Sequence, residues 1–215
     1  MDENKKPESL DILIVEDNET NLCTVDEIRA QGHKVDIVTS LSDAITLMGG
    51  QREKYASLTA AKKHFDVVMT DLVLPYGAGC KALRGDGPDP EVEKAPLGYA
   101  IALNAARMGI PLIAIVTSMN HHASPVASTL DLFYLPEGAY ATKGPDDARP
   151  AQFGSNRFVF RVNDSLVVLY DSRDFPQPGK TEPELYGTMK NYAAALGSLL
   201  EQGRTRATRC AVARL

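Results

Sequence analysis

Short runs rich in isoleucine, leucine and valine recur along the chain, and each is closed or interrupted by an acidic or hydroxyl-bearing residue. They are DILIVED (11–17), HKVDIVTS (33–40), DVVMTDLVLP (66–75), PLIAIVTS (111–118) and SLVVLYD (165–171). Runs this short and this apolar read as strands buried on both faces, which is the signature of a parallel sheet. Between them the apolar spacing changes. Leu22, Val25 and Ile28, and then Leu41, Ala44, Ile45 and Met48, recur as they would along one face of a helix. Asp17 or Asn18 can cap the first of these helices, and Gly32 and Gly49-Gly50 can end them. Further helical segments are expected at 51–64, at GYAIALNAARMG (98–109), at HHASPVASTLDLF (121–133) and from Glu184 to Glu201. Strands alternating with helices predict an α/β fold with a doubly wound parallel sheet covered on both faces.

The remaining segments fit around that frame. RFVFRV and SLVVLYD are strand-like runs separated by Asn163-Asp164, which reads as a turn. Residues 75–96 are rich in glycine, proline and charge, and 135–164 is punctuated by Gly138, Gly144, Pro145 and Pro150. Both are read as insertions in one domain spanning 9–203, with no internal repeat and no second core. From 204 to 215 a basic tail follows, expected to be flexible.

A parallel sheet gathers ligands beyond the carboxyl ends of its strands, where the strand order switches. The polar residues of this sequence fall at those ends: Glu16 and Asp17 after the first run, Asp71 after the third, Thr117 and Ser118 after the fourth. A carboxylate is costly to bury without a partner, so three of them at neighbouring strand ends imply a prepared site. Singly, each has a plainer reading: Asp17 as a helix cap, Asp71 as a strand stop, Thr117 as an ordinary strand terminus. His121 and His122 are adjacent, point in different directions on a helix and lack partners at metal-ligand spacing.

Composition removes several function classes. Net charge is −5, which argues against broad binding to nucleic acid, although the segment GRTRATRCAVARL carries four arginines and no acid. Cys23, Cys80 and Cys210 show neither CxxC nor Cys/His spacing, as expected of a reducing compartment without a disulfide framework or zinc site. No apolar run approaches the roughly 18 residues of a membrane span, and MDENKKPES has no apolar leader core. A cytoplasmic location is the expectation.

Taken together, DILIVEDN (11–18), DVVMTDLVLP (66–75) and PLIAIVTS (111–118) resemble the receiver domain of two-component response regulators, here as an enlarged stand-alone form. The resemblance covers 9–74 and 97–134. It implies a flavodoxin-like sheet of five parallel strands in the order 2-1-3-4-5. It also implies a phosphorelay switch rather than an enzyme with turnover, and slow autodephosphorylation is compatible with it. Asp71 would be the phosphoacceptor, taking its phosphoryl group from a histidine kinase or phosphotransfer protein. Glu16, Asp17, Asp71 and the backbone carbonyl of Val73 would hold Mg2+, and Thr117 would be the switch hydroxyl. An output protein of unknown identity would read the state, and homodimer formation is open. A phosphorylation-independent pseudo-receiver, acting as an interaction module, is the rival.

The family lysine after strand five has no obvious counterpart. If SLVVLYD is strand five, its end reads Asp171-Ser172-Arg173; if GAYATKG (138–144) is, Lys143 fits in kind. SLVVLYD is the more strand-like. Lys143, reaching in from the preceding segment, is the chosen phosphoryl-pairing cation, with Arg173 as the imperfect substitute.

Overall fold

The computed structural model describes residues 9–49, 64–77, 94–118, 158–172, 175 and 190–212. In chain order the elements are β1 (Asp11–Val15), a 3-10 turn (Glu19–Leu22), α1 (Val25–Ala30), β2 (Lys34–Val38), α2 (Leu41–Leu47), β3 (Val67–Thr70), β4 (Leu74–Pro75) and β5 (Lys94–Ala95). Then follow α3 (Gly98–Arg107), β6 (Leu112–Thr117), β7 (Phe158–Val162), β8 (Ser165–Asp171) and α4 (Tyr192–Val212).

One sheet has the order β2-β1-β3-β6-β8-β7, and β4 pairs with β5 in a separate two-stranded ribbon. The first five strands are parallel throughout. They run in the expected 2-1-3-4-5 order, so the fold is the flavodoxin-like α/β type, with SLVVLYD as its fifth strand. A sixth strand, β7, extends the sheet antiparallel to β8. The turn joining them is Asn163-Asp164, with Asn163 at φ 54°, a left-handed conformation that asparagine tolerates and two-residue hairpins require.

Strand parity explains the packing. Leu13, Val15, Val68, Ile113, Ile115, Val167 and Leu169 face one core, where Ala44 of α2 and Ile101 and Ala105 of α3 meet them. Ile12, Ile14, Val67, Met69, Ala114, Val116 and Val168 face the other, against Val25 and Ile28 of α1 and Tyr192, Leu196 and Leu199 of α4. Each aliphatic side chain so buried contributes about 1.5–3 kcal/mol, and a sheet covered on both faces uses every residue of its central strands.

The stretch expected as one first helix divides into the 3-10 turn and α1, with Thr24 between them. The cause lies in the tertiary structure: the Asn21 carbonyl oxygen of the side chain accepts the Lys190 N–H at 3.3 Å and the Thr24 hydroxyl accepts the Tyr192 N–H at 2.9 Å. Asn18 caps the turn, its side chain accepting from the Thr20 N–H at 3.0 Å. α4 starts at Tyr192, where the Asn191 side chain accepts the Ala194 N–H at 2.9 Å. Its backbone stays helical to Val212, so the arginine-bearing segment from 204 extends this helix. The helical expectations at 51–63, 121–133 and 184–189 lie outside the described residues. Among the described residues no helix is long and apolar enough to cross a membrane.

α3 begins against the loop after β3. The Gly98 N–H donates to the Leu72 carbonyl at 2.9 Å. A Cβ on Gly98 would collide with the Asp71 carbonyl oxygen and the Leu72 Cα, both backbone atoms that cannot rotate away. Gly98→Ala is therefore expected to destabilise the fold by about 1–3 kcal/mol through forced backbone displacement. Urea denaturation of both proteins measures it.

Candidate functional site

The acids that meet are those at the carboxyl ends of the strands. At the amino ends, Asp66 is engaged structurally, its carboxylate accepting the Asp11 N–H at 2.8 Å. At the other end the parallel ladder runs one residue past β1 and β3. Glu16 N–H donates to the Val38 carbonyl at 3.0 Å, and Asp71 N–H donates to the Val15 carbonyl at 2.8 Å. These bonds fix both acid-bearing backbones side by side. Continuing the alternation of the strands, Glu16 shares parity with Ile12 and Ile14, and Asp71 with Val67 and Met69. Both therefore lie toward the α1/α4 face.

Glu16, Asp17 and Asp71 each offer a carboxylate oxygen within 4.8 Å of the others. Glu16 is fully buried. Its Oε1 accepts the Asn18 N–H at 3.1 Å, and its Oε2 accepts from Lys190 Nζ and from the Tyr192 hydroxyl, each at 2.7 Å. The Lys190 ammonium also lies 2.6 Å from Asp71 Oδ2, with the lysine side chain only 1% exposed. Asp71 Oδ1 accepts the Leu72 N–H at 2.5 Å. On the outer side, Lys94 Nζ stands 2.5 Å from Asp17 Oδ2. Three carboxylates thus face two ammonium groups.

Burial sets the protonation preferences. Desolvation pushes Asp71 above its ordinary value; Lys190 opposes this and the Glu16 charge adds to it. Tyr192 is driven well above the usual phenol value, first by burial and then by the neighbouring Glu16 charge, so its hydroxyl remains a donor. The hydrogen bond to Asp17 holds Lys94 above the usual lysine value against partial desolvation.

The other candidate residues are placed as follows. Thr117 ends β6 and is buried. Because Thr70 pairs with Ile115, Thr117 lies one register step beyond the level of Asp71 on the adjacent strand. It also pairs with Asp171 of β8. Val73 follows Asp71 by two residues and packs its side chain against the α2/α3 core. Lys143, Arg173, His121 and His122 lie outside the described residues.

Lys190, Tyr192 and Lys94 do not emerge as site residues from the sequence pattern. Lys190 falls within the helix expected from Glu184, whereas it immediately precedes the Asn191 cap. A final helix in this topology starts at the same sheet edge as the acids, so a lysine beside its capping asparagine is the available signal. Lys94 has none, since it closes an irregular excursion.

The donor set matches a hard divalent cation. One carboxylate oxygen of each of three acids, from two adjacent strand ends, lies within 4.8 Å of the others, and the chain itself places cationic groups against them. Glu16, Asp17 and Asp71 are the residues that would hold Mg2+.

Two outcomes follow from the electrostatics. Removing the Lys190 charge leaves Glu16 and Asp71 uncompensated, so Lys190→Met should destabilise the fold by about 3–5 kcal/mol in chemical denaturation. Tyr192→Phe deletes one of the Glu16 donors and should cost about 1–3 kcal/mol. Asp71 has the opposite sign. Its folded value is raised, so its contribution to stability is present below the ordinary 3.8 and lost as pH rises through the folded value. Metal-free Asp71→Asn, with Lys190 still paired to Glu16, should be more stable than wild type at neutral pH. That difference should close in acid, as a series of melts across pH will show.

No family model and no curated protein matches this chain. Among solved structures, it is similar to the receiver domain of a sensor histidine kinase from Pseudomonas aeruginosa PAO1, determined with a magnesium ion coordinated in its active-site cleft. Identity there is 21% and the TM-score 0.32, over 52% of this chain and 69% of that one. A fusion protein carrying the yeast Spc42 trimeric coiled-coil segment is similar at 19% identity and TM-score 0.34, over 58% of this chain and 59% of that one.

Proposed function

We propose that this protein is a receiver-type phosphorelay switch, phosphorylated on Asp71 by a histidine kinase or phosphotransfer protein in a Mg2+-dependent reaction. The observation that carries this reading is the meeting of Asp71 with Glu16 and Asp17 at the carboxyl edge of a 2-1-3-4-5 sheet, one oxygen of each within 4.8 Å. An Asp71 oxygen forms the new bond to phosphorus while the phosphorus–nitrogen bond of a phosphohistidine breaks. The electron pair stays on the departing imidazole. Attacking carboxylate and phosphoryl group are both anionic, and Mg2+ held by Glu16, Asp17, Asp71 and the Val73 carbonyl would offset that repulsion.

The protein's own residues supply the rest. The Leu72 N–H and the ladder bond from Asp71 to Val15 orient the nucleophile. Lys190, poised 2.6 Å from Asp71 Oδ2, takes the role that the receiver resemblance implied for Lys143, pairing with the phosphoryl oxygens as charge moves onto them. Thr117, on the neighbouring strand, is the switch hydroxyl in this reading; sharing parity with Ile113 and Ile115 of the α2/α3 core, it would have to turn toward the modified site. Output then follows from rearrangement of the β6–β8 edge, changing which partner protein binds. The event modifies the protein itself, without turnover of a substrate. Net charge of −5 favours a protein partner over nucleic acid, and a cytoplasmic setting fits such a partner.

One observation favours a second reading. Lys190 and Lys94 already neutralise most of the carboxylate charge, as a phosphorylation-independent binding module would also require. Acetyl phosphate with Mg2+ separates the two. Intact-mass analysis should show one added phosphoryl group on wild type and none on Asp71→Asn, and beryllofluoride with Mg2+ should raise the melting temperature of wild type only. A wild type indifferent to both reagents would overturn the phosphorylation reading and make the binding module the better one.

A further inference from the structure

We infer that Lys94 acts as a built-in competitor for the divalent cation, occupying Asp17 until a metal displaces it and so setting the metal affinity of the site. This rests on the metal-site reading above. The Lys94 ammonium is 2.5 Å from Oδ2 of Asp17, one of the three acids whose carboxylate oxygens cluster. The contact is built in by the backbone. β4 starts three residues after Asp71, and β5 pairs with it as Leu74 with Ala95 and Pro75 with Lys94. Just beyond, Leu97 N–H bonds the Ala95 carbonyl at 2.7 Å and Gly98 N–H bonds the Leu72 carbonyl at 2.9 Å. Lys94 is therefore carried on a ribbon fastened at both ends to the loop that holds Asp71.

The two lysines of the site differ in what they can do. Lys190 is 1% exposed and bridges Glu16 and Asp71, so withdrawing it would strand buried charge. Lys94 is 50% exposed. Its flexible stem can carry the ammonium into water at little cost, as exposed ion pairs are weak. A divalent ion arriving at Asp17 meets this ammonium at close range, and the like-charge repulsion between them favours withdrawal of the lysine into water. Metal binding thus includes expulsion of Lys94, which lowers affinity relative to the carboxylates alone.

Calorimetric titration of the full chain with Mg2+ and with Mn2+ tests this without reference to phosphorylation. Lys94→Met should bind both ions about tenfold more tightly than wild type, and Lys94→Arg, which restores the charge, should return most of that gain. Lys34→Met removes an equal charge from the exposed pair with Asp11, 3.6 Å apart at the amino end of the sheet, and should leave affinity unchanged. If wild type binds metal and Lys94→Met binds no tighter, or if Lys34→Met tightens binding equally, the competitor role is overturned while the metal site stands. If neither wild type nor Lys94→Met binds either ion at millimolar concentration, the metal site fails and the inference fails with it.

Discussion

The Lys190 ammonium between Glu16 and Asp71 is the interaction on which the carboxyl edge of the sheet depends. Adjacent parallel strands end in acids whose backbones are locked together by ladder bonds, so the two carboxylates cannot separate to relieve their repulsion. Deep in a low-dielectric edge, such a pair either takes up a proton or gains a cation. The fold provides the cation from the far end of the chain, 174 residues beyond Glu16. The Asn18 amide and the Tyr192 hydroxyl complete the donors around Glu16, which makes full burial of that carboxylate tolerable.

That arrangement reaches well beyond the site. Holding Lys190 and Tyr192 over the pocket requires the start of α4 to be tied to the loop after β1. Asn21 and Thr24 do this by accepting the Lys190 and Tyr192 backbone N–H groups on either side of the Asn191 cap. The same two side chains divide the first helical stretch, so its break is a consequence of the site. The pocket, the cap of α4 and the start of α1 form one hydrogen-bonded unit.

Much of the architecture was legible along the chain because it follows from short-range periodicity. Five brief aliphatic runs read as parallel strands buried on both faces, and the structure divides their side chains between two cores. The Asn163-Asp164 turn was likewise visible, since a left-handed residue is a local requirement. Within the site, Glu16, Asp17 and Asp71 stood out for the same reason: each interrupts an apolar run at the edge where such sheets collect ligands. The cations did not stand out. A lysine before a helix and a lysine closing an irregular excursion resemble any solvated lysine until the chain is folded.

The sequence by itself determined the five parallel strands and the three acids, because burial pattern and strand ends are properties of neighbouring residues, while the strand order was implied by the receiver resemblance. Only the tertiary structure decided which cations face those acids. It placed Lys190 inside, shielded and bound to two carboxylates, and Lys94 outside, half in water and bound to one. The physical reason is that charge compensation depends on distance through space and on burial. Both are fixed by how the start of α4 and the β4–β5 ribbon dock on the sheet, and neither leaves a mark in the spacing of residues along the chain.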